Sequence, residues 1–130
     1  MLHRDYLLEV IEQFVNGISQ SLVRVFVHRD LDAGQDVEAA VAELVQLDPN
    51  TAMSLAPESL VTMMMLSGTG DAVAGYAAFA LNRLGEAYER MGEVELGQMR
   101  KAQAQAIADS FNASLDEIPE ELRGLNDQLQ

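Results

Sequence analysis

Apolar residues return every three or four positions through almost the whole of this chain, and that period decides its fold class. Leu7, Ile11, Phe14, Ile18, Leu22 and Val25 follow one another at spacings of four and three. At 100° per residue such positions line one side of an α-helix, whereas a half-buried strand needs strict alternation. Val73, Ala77, Ala80, Leu84, Ala87 and Met91 repeat the pattern, and no segment sustains a period of two. The expected class is therefore all-α. With 130 residues, 48% hydrophobic and 22% charged, the chain suits one ordinary core that buries roughly two thirds of the unfolded surface.

The interruptions of the period divide it into helices. The first runs from about Arg4 to His28. Leu8, Val15 and Phe26 widen its apolar side, which predicts more than one neighbouring helix or a homodimer formed through this helix. The stretch DLDAGQD breaks the pattern, and Asp32 followed by Gln35 has the spacing of a capping box opening a second helix over Val37, Val41 and Leu44. Asp48-Pro49-Asn50 ends that helix. A third starts near Pro57, where a first-turn proline loses no intrahelical bond. A turn at Ser67-Gly68-Thr69-Gly70-Asp71 leads to a fourth helix, Asp71 to Met91, and a fifth runs from Glu93 to about Asn112. Five principal helices in consecutive antiparallel packing are expected over residues 1–113. Residues 114–130 read as a short amphipathic capping helix or tail, with Ile118, Leu122, Leu125 and Leu129 on one side.

Three glycines in the last two long helices carry different information. Gly92 follows the final periodic position, as a left-handed C-cap between antiparallel helices does. Gly85 and Gly97 lie inside helices, where each costs roughly 1 kcal/mol relative to alanine, so close backbone approach is the expected reason for them. Leu84-Gly85, Tyr88, Gly92, Gly97 and Ala104 together resemble one tetratricopeptide repeat, about 34 residues long. The resemblance implies a right-handed stack of antiparallel helical hairpins that binds protein segments. The chain departs from that pattern at Leu81, Lys101 and Asp109, where the repeat has tryptophan, an aromatic and proline, and no clean second copy lies one repeat upstream. The opening RDYLLEVIEQF is similar to the start of a family of small uncharacterised bacterial all-helical proteins, a resemblance that implies no activity and no functional residues.

Composition excludes several functions. A net charge of -13, with eight Lys and Arg scattered along the chain, repels phosphates and argues against nucleic acid. Segment 60–81 is apolar, but SGTGD would set two glycines and a charge in the bilayer centre, so no membrane span is expected. Asp5, Glu9 and Glu12 interrupt the run a signal peptide needs. The absence of cysteine fits a reducing compartment, so the expected location is cytoplasmic.

No residue set assembles a catalytic or metal site on paper, and a non-enzyme with no cofactor is expected. Asp30, Asp32, Gly34 and Asp36 resemble a calcium loop, but Val41 stands where a bidentate glutamate belongs, and a capped acidic turn is the better reading. Gly68-Thr69-Gly70 lacks the strand and the third glycine of a nucleotide fingerprint. His3 and His28 are too far apart along one helix to share a metal. Met63, Met64 and Met65 are expected mostly to fill core gaps. Asp116-Glu117 and Glu120-Glu121 sit in a polar tail, without the apolar pocket that would raise a carboxyl pKa.

The function expected from these residues is a protein-protein interaction module of tetratricopeptide type, with Tyr76, Asn82, Arg83, Arg90 and Lys101 as the candidate partner surface. The alternative is a small-molecule or lipid sensor with Met63, Met64, Met65, Phe79 and Tyr76 around an apolar cavity.

Overall fold

The computed structural model describes residues 2–68 and 70–129, with side chains from residue 6 onward. The described residues form seven α-helices and one 3-10 turn: α1 (Leu2–His28), α2 (Leu31–Leu44), α3 (Pro49–Ser54), α4 (Pro57–Ser67), α5 (Gly70–Arg90), α6 (Val94–Ser110), the 3-10 turn Glu120–Leu122, and α7 (Arg123–Gln128). No strand occurs among the described residues, so the all-α class holds. The expected five helices are too few, because Pro49 opens a helix as well as ending one. Asp48 accepts a hydrogen bond from the Thr51 amide, and Pro49 occupies the first helical position, where its missing N–H has no partner to lose.

The start of α2 also differs from the capping-box reading. Asp30, not Asp32, is the cap: its Oδ1 accepts from the amides of Asp32 at 3.0 Å and Ala33 at 3.3 Å, and Asp32 itself lies in the first turn. Both aspartates precede an apolar run, and Asp30 takes the role because its extended backbone aims the carboxylate at those donors.

Two long hairpins organise the core. In the second, α5 and α6 are antiparallel and touch backbone to backbone. A Cβ built on Gly85 would lie 2.7 Å from the Gly97 carbonyl oxygen, and one on Gly97 would lie 2.6 Å from that of Gly85. Gly92, at φ 89°, turns the chain between them. In the first hairpin, α1 and α2 are joined through Arg29 and Asp30, and both pack on α5. Ile18, Leu22, Val37, Val41, Ala77 and Leu84 are fully buried where these helices meet.

The packing is therefore not strictly consecutive. Helix α4 leans chiefly on α6, with Gln103 bonded to the Leu55 carbonyl just before its start. Only Met64 of the methionine run is core. Met65 is 55% exposed and Met63 37%, because consecutive helical positions point 100° apart and α4 has a partner on one side only. The widened side of α1 divides similarly: Val15 and Phe26 pack half-buried against the core, whereas Leu8 is exposed.

The C-terminal leucines 122, 125 and 129 are buried in the same core cluster as the hairpins. Pro119 rests 3.7 Å from where a Gly75 Cβ would be, and Gln128 lines a shallow recess together with Ser19, Val23 and His28 of α1. The Tyr76 hydroxyl donates to Glu121 Oε1 at 3.0 Å. The terminal segment is thus held against α5 and reaches α1.

Candidate functional site

The five residues expected to share a partner surface fall into separate places. Arg83 and Arg90, seven positions apart and so on one side of α5, both stand over the ring of Phe26, at 4.8 and 5.0 Å from its centroid. Arg83 also pairs with Glu86 at 3.2 Å. These contacts tie α5 to the end of α1 by attraction between guanidinium and ring. Asn82 is half-buried on the same helix. Lys101 lies across the second hairpin, where its ammonium meets Glu89 at 2.9 Å. Tyr76 is occupied by the C-terminal segment; burial, then the hydrogen bond and charge of Glu121, pushes its pKa up to about 12. Among the residues expected to line an apolar cavity, Met64 and Phe79 are core and Met63 and Met65 face outward.

Other expected features resolve locally. Asp30, Asp32, Gly34 and Asp36 form the cap and first turns of α2. Thr69 of the glycine turn lies outside the described residues, and so does the His3 side chain; Gly68, at φ 78°, is the left-handed end of α4. No group of three or more metal-ligating side chains occurs among the described residues. No described helix is long and apolar enough to cross a membrane.

A polar network that sequence reading missed lies inside the fold. Arg100, only 4% exposed, donates through Nε to Glu38 Oε2 at 2.8 Å, and through a terminal nitrogen to the Met53 carbonyl and Gln103 Oε1, both at 2.9 Å. The Tyr88 hydroxyl donates to the same Glu38 oxygen at 3.0 Å, and Gln103 donates to the Leu55 carbonyl at 3.0 Å. The Tyr88 ring has room because Gly34 lacks a Cβ, which would sit 2.7 Å from the hydroxyl. Burial, with the Glu38 carboxylate beside it, moves Tyr88 to ionise far above the ordinary phenol range. Each buried polar group here is bonded, as burial requires. The signal was present in α6: Arg100 and Gln103 interrupt the small and apolar positions Gly97, Ala104, Ile107 and Ala108, which all face inward.

The surface feature with the geometry of a binding site is a groove of about 290 Å3 between the first half of α1, the end of α2 and the start of α5. Tyr6, Val10, Gln13 and Gly17 recur at helical spacing and form one wall over three turns, about 16 Å at 1.5 Å per residue. Ala40 and Leu44 form the other wall, and Phe14 and Val73 reach its floor from the core. Glu9 and Glu43, both exposed, stand on the outer sides of the two walls. Among the described residues no lysine, arginine or histidine lines it. Sequence reading placed Ile11 and Phe14 correctly as buried, whereas Leu7 is only half-buried and lines the groove, and the neighbouring stripe through Tyr6, Val10 and Gly17 acquires meaning only when α2 stops short beside it.

Comparison of the chain with protein-family models, with curated proteins and with solved structures gave no match.

Proposed function

We infer that the chain is a non-enzymatic interaction domain that seats a segment of another protein in the groove between α1, α2 and α5. The observation that carries this reading is the groove itself: an apolar floor at Phe14 and Val73, beside a wall three helical turns long, open to solvent, with a small residue on each wall at Gly17 and Ala40. Shape and size suit a helix laid along hydrophobic anchors. The arrangement of hairpins is consistent with a tetratricopeptide-like stack, since α5 leans on both helices of the preceding hairpin and pairs closely with α6. The buried charges support a non-catalytic role, because Arg100, Glu38 and Tyr88 are already committed to one another and to backbone carbonyls.

A photocrosslinking residue placed at position 13 in the groove, and separately at position 105 on the exposed side of α6, tests the reading. One protein captured in stoichiometric amount from position 13 and not from 105 is the expected result. Equal capture from both positions would refute it. A small-molecule sensor is the second reading, since about 290 Å3 stands at the lower end of ligand pockets, which begin near 300 Å3. Capture failing at position 13 while a metabolite raises the melting temperature would select that reading instead.

A further inference from the structure

Gly17 stands in the middle of a 27-residue helix, where glycine is roughly 1 kcal/mol worse than alanine. At four other helical glycines the cost has a visible return, though at Gly124 of the short α7 a Cβ would likewise meet nothing within 4 Å. The missing Cβ of Gly34 makes room for Tyr88, that of Gly70 for Phe111, and those of Gly85 and Gly97 let two backbones meet. A Cβ at Gly17 would meet nothing within 4 Å. No described residue uses the space, which lies on the groove that Gly17 and Ala40 both line.

Charge supplies the second observation. Glu9 and Glu43 flank the groove on exposed positions. Among the described residues the single bond to either carboxylate is a long one from Gln13 to Glu9, 3.4 Å, and no cation pairs with them. The three ion pairs of the described residues lie elsewhere, at Arg83–Glu86, Arg100–Glu38 and Lys101–Glu89. An apolar floor between two unneutralised carboxylates, on a chain of net charge -13, attracts a cationic amphipathic body and repels both an anionic one and a second copy of this chain.

We propose that the groove takes a basic amphipathic helix of a partner protein, with apolar side chains on the floor, Lys or Arg opposite Glu9 and Glu43, and its closest approach at Gly17. This rests on the interaction reading above and specifies the chemistry of its ligand. The missing Cβ at 17 and the small Ala40 let the partner helix sit deep enough to reach Phe14 and Val73. Like charge on the rims then sets which helices are admitted.

The probes are three labelled synthetic peptides of about 14 residues, long enough to span three helical turns, with one leucine pattern and the remaining positions Lys, Gln or Glu. Fluorescence anisotropy measures each against the full chain, Gly17→Leu, and the double variant Glu9→Gln/Glu43→Gln. Circular dichroism first verifies that each variant is folded. The Leu/Lys peptide is expected to bind at least tenfold more tightly than the Leu/Glu peptide. Gly17→Leu should abolish that binding while leaving the net charge untouched, which separates groove occupancy from bulk attraction to an acidic protein. The double variant should weaken the Leu/Lys peptide about three- to tenfold, as two rim ion pairs allow, and less in high salt.

Leu/Lys binding that survives Gly17→Leu overturns the proposal as mere charge attraction. Binding of all three peptides with equal affinity, lost in Gly17→Leu, overturns the charge assignment but leaves the interaction reading intact. No binding by any peptide overturns the proposal, and the interaction reading then stands or falls with capture from position 13. Sedimentation showing a dimer that Gly17→Leu dissociates would put a second copy in the groove and overturn the proposal too.

Discussion

Replacing Gly85 by alanine gives a test in which two opposing terms can be compared. Alanine in place of a helix-interior glycine favours the helix by roughly 1 kcal/mol. At Gly85 the new Cβ would lie 2.7 Å from the carbonyl oxygen of Gly97 and 3.1 Å from the amide nitrogen of Lys101. These are backbone atoms of the facing helix, so no rotamer change relieves them, and α5 and α6 must part by several tenths of an ångström along their whole contact. Overpacking of this kind costs about 1–3 kcal/mol, and separation also loosens Leu84, Ala104 and Ile107, all fully buried. The clash outweighs the propensity gain, and Gly85→Ala should be destabilised by about 1–2 kcal/mol in urea unfolding with the slope unchanged. Gly17→Ala is the internal control. It carries the same propensity gain with open space around the new methyl, so it should be stabilised by about 0.5–1 kcal/mol, or roughly 3 °C in melting temperature. Gly97→Ala added to Gly85→Ala should cost less than it does alone, because the helices have already separated. A Gly85→Ala protein as stable as Gly17→Ala would refute the backbone contact.

Further outcomes follow from the packing and the titrating groups. Leu84→Ala should lose about 2–5 kcal/mol, as a fully buried leucine does, measured by denaturant unfolding. Arg100→Met should lose about 2–4 kcal/mol by the same assay, since it leaves the Met53 carbonyl without this donor and Glu38 with the Tyr88 hydroxyl but no counter-charge, whereas Arg123→Met on the exposed turn should be near neutral. Tyr76 ionises from 10.0 in the unfolded chain to about 12 in the fold. Between those values the folded state holds a proton that the unfolded state has released, so stability is full below pH 10 and falls as pH rises toward 12; Tyr76→Phe should flatten that slope in melting curves followed against pH. Deleting residues from Ile118 onward removes the buried Leu122, Leu125 and Leu129 and should raise binding of a hydrophobic dye and lower the melting temperature; unchanged values for both would show the segment to be dispensable.

The long helices were legible because their signal is local. In α1 and α5 six successive periodic positions agree, and Gly85 and Gly97 announce a tight hairpin by their cost alone, with Gly92 marking its turn. Helix α3 was missed because proline has two opposite meanings, helix stop and helix start, and only the Asp48 cap distinguishes them. Met63 and Met65 were misplaced because α4 has a hydrophobic composition but only one packed side, and composition does not report how many neighbours a helix has. Glu38 and Arg100 are 62 positions apart, and no periodicity connects them. Arg100 nevertheless sits within an inward stripe, and a charge there demands a buried partner. The groove is legible nowhere in one segment, since it arises from the relative lengths and placement of α1, α2 and α5. Gly17 carried a hint, as a helix-breaking residue inside an otherwise strong helix.

The Arg100 network has a consequence for how the molecule comes apart. Stacked hairpins touching only their neighbours open one at a time, with the ends fraying well before the middle. Here a single side chain on α6 holds a carboxylate from α2 and a carbonyl from α3, so peeling away the first hairpin strips Arg100 of its counter-charge in a dry interior. That penalty falls on the hairpin left behind and makes partial opening less favourable than complete unfolding. Amides in the middle of α2 and α6 should then exchange with solvent deuterium at one common rate under native conditions. In Arg100→Met the two rates should split, the α2 amides exchanging first, and the chain would behave as two loosely joined halves.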